Sequence, residues 1–219
     1  MKKDVPMRKK VKELVVKYTT VLILAVLIIV FASIKPIFLH PQNLLNMLKQ
    51  TSFVAVTAFA VTFIITLGGL DLSAGSTSAV VGVVMAMLLR DGFSIPLALL
   101  IVLALSAFFG WLNGFISVKG KIEPFLVTLA TMNIYRGIAM TLSRGRPIPI
   151  VAKSVTNAFG NGAVCGVPVP VIIIVLMFIL TYYLFKKSKF GYYVRCIGGN
   201  AEAARVAGMP VGKIKILAF

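Results

Sequence analysis

TSFVAVTAFAVTFIITLGGLDLSAGSTSAVVGVVMAMLL, Thr51 to Leu89, is almost uninterrupted apolar sequence with one charge, Asp71, and a break at Gly68 and Gly69. A membrane helix needs about 20 apolar residues, so two spans share this stretch. Gly68 and Gly69 permit backbone angles that a helix forbids, and Asp71 or Ser73 can cap the helix that starts next. In that helix Ala74, Ser78, Gly82 and Ala86 recur every four residues, a ridge of small side chains that predicts a face turned toward protein rather than lipid. The pattern makes the chain an all-α, polytopic membrane bundle.

Working outward, the same alternation of apolar runs and short polar breaks repeats. Toward the N-terminus, Tyr18 to Ile34 is a first span, and Lys35 to Gln50 follows it outside, with Pro41, Gln42 and Asn43 starting a short interfacial helix, LLNMLKQ. The basic segment 1–17 should stay in the cytoplasm; no small-x-small cleavage site precedes polar sequence, as a signal peptide would require. Toward the C-terminus, Arg90 to Gly92 is a short outer turn and Phe93 to Val118 crosses back, with Ser106, Gly110 and Gly114 as a second small-residue ridge and Asn113 beside it. Lys119 to Glu123 forms an inner loop, and Pro124 suits the first turn of the next helix, where its missing N–H costs nothing. Phe125 to Leu142 is the fifth span, carrying Thr128, Thr131, Asn133 and the charge Arg136. Ser143 to Gly166 is an outer loop and Val167 to Phe185 the sixth span. After a polar run, Ile216 to Phe219 turns apolar as a seventh span would begin, so the chain reads as C-terminally truncated. The domain reading is a basic segment 1–17 and a transmembrane domain 18–219 that includes an inner loop 186–215.

Composition agrees. Apolar residues make up 59% of the 219 and mean hydropathy is +0.98, where soluble domains have roughly 45–50% apolar residues. The net charge of +17 would suggest nucleic acid in a soluble protein. Here the basic residues flank apolar segments, so nucleic acid is rejected as a partner. Lys and Arg concentrate in segment 1–17, at Lys119 and Lys121 and in 186–215, which places both termini inside. Cys165 and Cys196 fall on opposite sides of the membrane and should not pair; no metal site is indicated, and the lone His40 is read as solvent-exposed.

The longest polar run is KKSKFGYYVRCIGGNAEAARVAGMPVGKIK, Lys186 to Lys215. Asn200 can N-cap a helix, with Glu202 in its first turn and Arg205 near its last, each at the end of the macrodipole that suits its charge. Gly208 supplies the stop and Pro210 cannot continue the helix. The spacing predicts a two-turn helix over 201–207. Such a helix is too short to stand alone in water, and its alanines let another surface approach closely. It reads as a docking plug; the plainer alternative is a basic loop with one capped helical turn.

Glu202, Ala203 and Ala204, followed after three residues by Gly208, resemble the EAA loop by which permease subunits of ABC importers engage their ATPase subunits. Extended leftward to FGYYVRCIGGNAEAARVAG, the string is similar to the ribose-type branch of sugar ABC permeases. GGLDLSAGS, Gly68 to Ser76, resembles that branch's GGIDLSxGS signature. GWLNGFISVKGKIEPFLVTLATMNIYRG, Gly110 to Gly137, resembles its GLxNGxLxxxxxIPPFIVTLxTxxxxRG stretch. Glu123 departs from the pattern, standing where the family usually has a small or apolar residue or proline, and Tyr192 sits near a position often occupied by arginine.

The resemblance implies a transmembrane subunit of an ATP-driven importer for a simple sugar such as ribose, xylose or galactose, in the bacterial inner membrane with its N-terminus cytoplasmic. It implies an ABC ATPase subunit docked at Gly198, Gly199, Asn200, Glu202, Ala203, Ala204, Arg205 and Gly208. A soluble sugar-binding protein would dock outside, and a second permease copy or homologue would complete the path across the lipid bilayer. The chain has no GxxxxGK[ST] phosphate loop, so no cofactor is expected on it and ATP is used by the partner subunit. No catalytic residues are expected. Candidate path or hinge residues are Gly68, Gly69, Asp71, Ser73, Asn113, Thr128, Thr131 and Asn133. For Asp71, lining the path and capping a helix both stay open. The polar groups of the other spans would bond a passing sugar or simply neighbouring helices, and Arg136 would pair with Asp71 or snorkel outward. Rival readings are an ion-coupled secondary transporter using Asp71, and a nonfunctional permease fragment. A membrane enzyme would need paired acids or His and Cys clusters, which one histidine and scattered acids do not provide.

Overall fold

A computed structural model describes residues 18–150, 162–164 and 166–219. The basic segment 1–17, residues 151–161 of the outer loop and Cys165 lie outside the described residues. Contacts divide the chain into two units, Met1–Gln50 and Thr51–Phe219.

In the first unit, α1 (Thr19–Ile34) is apolar on every side and buries none of its residues, the pattern of a helix whose solvent is lipid. A 3-10 turn, Pro36–Leu39, follows, with the Phe38 ring 5.7 Å from that of Phe31. Helix α2 (Pro41–Thr66) then begins at Pro41, as the sequence suggests, but does not stop after a short interfacial segment. No Gly or Pro interrupts Gln42 to Leu67, and Lys49, Gln50, Thr51 and Ser52 carry the hydrogen-bond ladder through, so the interfacial piece and the span are one helix. Its 26 residues are about 39 Å long, more than the roughly 30 Å of a bilayer's hydrocarbon.

The second unit holds the part of α2 from Thr51 on, α3 (Ala74–Arg90), α4 (Ile95–Gly120), α5 (Pro124–Ser143), a hairpin of two-residue strands, α6 (Val169–Lys187), α7 (Lys189–Gly199), α8 (Ala201–Val206) and α9 (Val211–Ala218). Pro124 is the first residue of α5, and Lys121 and Arg144, both at positive φ, end α4 and α5. The hairpin pairs Ala163–Val164 with Val167–Pro168 between α5 and α6, a small exception in an all-α bundle. Four helices, α2, α4, α5 and α6, are long and apolar enough to cross a membrane, and α1 and α3 are shorter apolar helices. Each of the six expected spans corresponds to one of these helices, four of them of membrane-crossing length.

Two cores hold the second unit. Val80, Phe109, Tyr135 and Ala139 join α3, α4 and α5, with the Phe109 and Tyr135 rings stacked 4.3 Å apart. Phe63, Val194, Ile197, Ala204, Val211 and Ile214 form the other, which binds the polar run to the end of α2. The ridge of α4 is a contact surface: Gly110 and Gly114 lie directly on the backbone of α9 at Phe219 and Ile216. The ridge of α3 differs from expectation. Ala86 is buried, but Ser78 is exposed and nothing lies within 4 Å of where a Cβ on Gly82 would be, because α3 packs through Ser76 and Val80 instead.

Candidate functional site

Helix α2 is stopped by Gly68 at φ 79°, whose N–H donates to Ile65 O at 2.9 Å while that of Gly69 reaches back to Ile64 O at 2.9 Å. These bonds close the last turn in the way a left-handed glycine allows. Residues 69–73 then run without helical structure. Irregular backbone at membrane depth must find partners inside the protein. Thr128 Oγ1 donates to Leu70 O at 3.1 Å, and Gly69 lies so close to the Pro124 ring that a Cβ would sit 3.3 Å from it. The N-terminus of α5 thus clamps the break.

Asp71 Oδ1 accepts from Ser73 N at 2.8 Å and from Ser73 Oγ at 2.7 Å. A carboxylate accepting the N–H two residues on makes an Asx turn; it leads into Ser73, the N-cap of α3, and α3 itself starts without a side-chain cap bond. Ser73 Oγ in turn accepts from Asn113 Nδ2 at 2.8 Å, and Tyr135 OH points at Asn113 Oδ1 from 3.4 Å. Ser73, Asn113 and Tyr135 are all buried, and among the described residues no buried side-chain polar atom lacks a partner. The chain of bonds joins the break to α4 and α5.

Asp71, Ser73 and Asn113 also line a cavity of about 260 Å³, together with Thr57 of α2, Thr77 and Ser78 of α3 and Ser106 and Gly110 of α4. That volume is near the lower edge of ligand pockets, roughly 300–1,000 Å³. Its wall is largely apolar, with Val56, Val61, Ile64 and Phe219, and sets among them hydroxyls, the Asn113 amide and the Asp71 carboxylate, a lining that can hydrogen-bond an uncharged solute with both polar and apolar faces. Gly68 and Gly69 line a smaller adjoining cavity of about 40 Å³ with Glu123 and Lys215.

The other candidates separate. Thr128 is buried behind the break, bonding Leu70 O and also Pro124 O at 2.9 Å. Thr131 is buried and donates within its own helix, to Val127 O at 3.1 Å. Asn133 is exposed and donates to Leu129 O at 2.9 Å, away from the cavity. Arg136 is exposed; the ion pairs among the described residues are Arg90 with Asp91 and Arg205 with Glu202, so Asp71 and Arg136 are not paired. Tyr135, Thr57 and Thr77 were not singled out from sequence. Thr128, Thr131 and Tyr135 share a helix face at i, i+3 and i+7, and that periodicity would have brought in Tyr135.

In the polar run, Asn200 Oδ1 accepts from Glu202 N at 3.0 Å and Ala203 N at 2.9 Å, capping α8. Gly208 at φ 78° ends it, with Met209 N donating to Ala204 O at 3.0 Å. Helix α8 spans Ala201–Val206 with Ala207 as its C-cap. Ala204 is buried in the core, whereas Glu202, Ala203, Arg205 and Val206 face out, Val206 being 86% exposed. Glu202 Oε2 and Arg205 Nη1 pair at 2.7 Å on that outer face. Helix α7 was not anticipated, although Phe190, Val194 and Ile197 at i, i+4 and i+7 carry a helical period. Gly198 lets α7 lie on the Thr66 carbonyl, which any Cβ there would strike; Gly199 has open space around it. Likewise α9 starts at Val211, five residues before the apolar stretch that first marked it, because Val211 and Ile214 are both core residues.

A family model described as branched-chain amino acid transport system / permease component matches residues 43–219. The ribose import permease protein of Haemophilus influenzae is 37% identical over 90% of this chain and 62% of its own length. The L-arabinose ABC transporter permease protein of Azospirillum brasilense is 32% identical over 90% of this chain and 59% of its own. The galactofuranose transporter permease protein of Escherichia coli is 34% identical over 80% of this chain and 51% of its own. The chain thus spans less than two thirds of the length of these relatives. No solved structure matches it.

Proposed function

The chain belongs to the family of branched-chain amino acid transport system permease components, in its ribose-type group, and from that premise we propose that it is a membrane subunit of an ATP-driven importer of simple sugars. Sugar is the substrate class favoured by its relatives, whose names specify ribose, arabinose and galactofuranose. A cavity lined by hydroxyls and the Asn113 amide suits such a neutral, multiply hydroxylated solute. Asp71 has two parts in this reading, holding the turn that leads into α3 and lining the path beside Ser73 and Asn113.

The observation that carries the coupling assignment is the outer face of α8. Asn200 and Gly208 fix both ends of a six-residue helix, Ala201 and Ala204 root it in the core, and Glu202, Ala203, Arg205 and Val206 are exposed to a partner. The partner is a separate ATPase, which uses the ATP; this chain binds no cofactor. Nucleotide-driven movement of the ATPase would push α8, and the core shared by α8, α7, α9 and the end of α2 would carry that push to the break at Gly68. Segment 1–17 and residues 186–215 lie on the cytoplasmic side, a sugar-binding protein docks on the opposite face, and a second permease subunit completes the path.

The test is uptake of labelled ribose, xylose and galactose into proteoliposomes holding the natural transporter assembly, with and without ATP. ATP-dependent uptake of any of them supports the reading. Uptake driven by an ion gradient without ATP would favour an ion-coupled carrier with Asp71 as its acidic group.

A further inference from the structure

Where the turn between α4 and α5 meets the start of α9, a second cavity of about 260 Å³ opens beside α8. Lys121, Arg205 and Lys215 line it against a single acid, Glu123, and Val118 and Ile122 supply an apolar wall. The site is built by the fold. Lys121 is held at φ 54° as the residue that ends α4, and the turn is closed by Ile122 N donating to Ser117 O at 3.1 Å and Ser117 Oγ donating to Ile122 O at 2.8 Å. On the other side, Gly212 seats the start of α9 against Val118, where a Cβ would be 3.1 Å away. Among the described residues neither Lys121 nor Lys215 is in an ion pair, and Arg205 pairs with the exposed Glu202.

We propose that this cavity binds the phosphate of an anionic phospholipid, with the first carbons of its acyl chains on Val118 and Ile122. Depth argues for lipid. The cavity lies at the ends of α4 and α5, two helices long and apolar enough to cross a membrane, and so at the level of the headgroups. Three cations facing one acid attract an anionic headgroup, as basic pockets between membrane helices do. The apolar wall suits a molecule that is charged at one end and hydrocarbon at the other, which free phosphate is not. Such a lipid would bridge the α4–α5 turn and Arg205 of α8. The inference needs the chain only to be a membrane protein and does not rest on the sugar; it shares Arg205 with the face of α8 assigned to the ATPase, and its test therefore changes only Lys121 and Lys215 of the cavity.

The test is native mass spectrometry of the full chain released from nanodiscs of mixed phosphatidylglycerol and phosphatidylcholine. It compares the natural chain, Lys121→Gln with Lys215→Gln, the same pair changed to Arg, and a control pair, Lys186→Gln with Lys187→Gln. The control lysines end α6 and do not line the cavity. Retained phosphatidylglycerol should fall about thirtyfold in the cavity Gln pair, the effect of two lost cations at an anionic surface, and persist in the Arg pair and the control. Circular dichroism of each variant separates lost binding from lost folding, and the Arg pair reads the charge even where the Gln pair is unstable. Equal loss in the control pair, no preference for phosphatidylglycerol over phosphatidylcholine, or full displacement by millimolar inorganic phosphate would each overturn the assignment. Failure of lipid binding with ATP-driven sugar uptake intact would leave the transport reading standing.

Discussion

Asn113 Nδ2 donates to Ser73 Oγ at 2.8 Å although 40 residues separate the two in sequence. The bond ties the irregular segment after α2 to the middle of α4, and both partners are buried. A double-mutant cycle with Asn113→Ala and Ser73→Ala, read by thermal unfolding in detergent, should give a coupling energy of about 0.6 kcal/mol, the usual size for hydrogen bonds between membrane helices. Additive effects would mean that the bond contributes nothing to the folded state.

Gly68 and Gly69 should respond differently to alanine. At Gly68 a Cβ has open space but the backbone sits at φ 79°, so the cost is conformational, about 1–2 kcal/mol, and Asn should recover part of it. At Gly69 the Cβ would press on Ile64 at 3.2 Å and on Pro124 at 3.3 Å, so larger side chains should be progressively worse and Asn should recover nothing. Stability measured across Ala, Asn and Val at both sites separates the two causes.

The apolar helices, the break at Gly68, the Pro124 start of α5 and both caps of α8 were legible because each rests on local chemistry: an apolar run, a left-handed glycine, a side chain bonding its own backbone. What was not legible depends on which face of a helix meets what. Gly82 belongs to a regular small-residue ridge, yet α3 turns Val80 inward and leaves Gly82 open; spacing marks a stripe without naming its neighbour. Asn133 and Tyr135 are two residues apart on α5, and the amide points out while the phenol, which composition alone does not mark, reaches toward Asn113. Helix α7 was hidden by its glycines and charges, although its core positions repeat at a helical period.

Gly198 meets the Thr66 carbonyl with no room for a Cβ. Gly198→Ala should destabilise the chain by about 1–3 kcal/mol through overpacking, while Gly199→Ala, where nothing lies within 4 Å, should cost well under that. Thermal unfolding of the two variants side by side checks the contact between α7 and α2.

Glu202 and Arg205 are 74% and 63% exposed, so their ion pair contributes about 0.5 kcal/mol or less and is weakened by salt. Exchanging them, Glu202→Arg with Arg205→Glu, should leave the unfolding temperature almost unchanged. It places each charge at the wrong end of the α8 dipole and reverses the face offered to a partner. Asn200→Ala, by contrast, should cost about 1 kcal/mol, because it frees the Glu202 and Ala203 N–H groups.

The most direct measurement is the affinity of the purified chain for the candidate ABC ATPases of its source organism, taken with the unfolding temperature for the natural chain, Glu202→Lys and Gly208→Pro. The account predicts that the natural chain binds. Glu202→Lys should lose binding by about tenfold or more at unchanged stability, as for a charge removed from a buried interface, and Gly208→Pro should lose it because the φ of 78° that ends α8 is closed to proline. A chain that folds and binds no ATPase, or that binds it equally well with Glu202→Lys, would contradict the assignment of α8 as the coupling element.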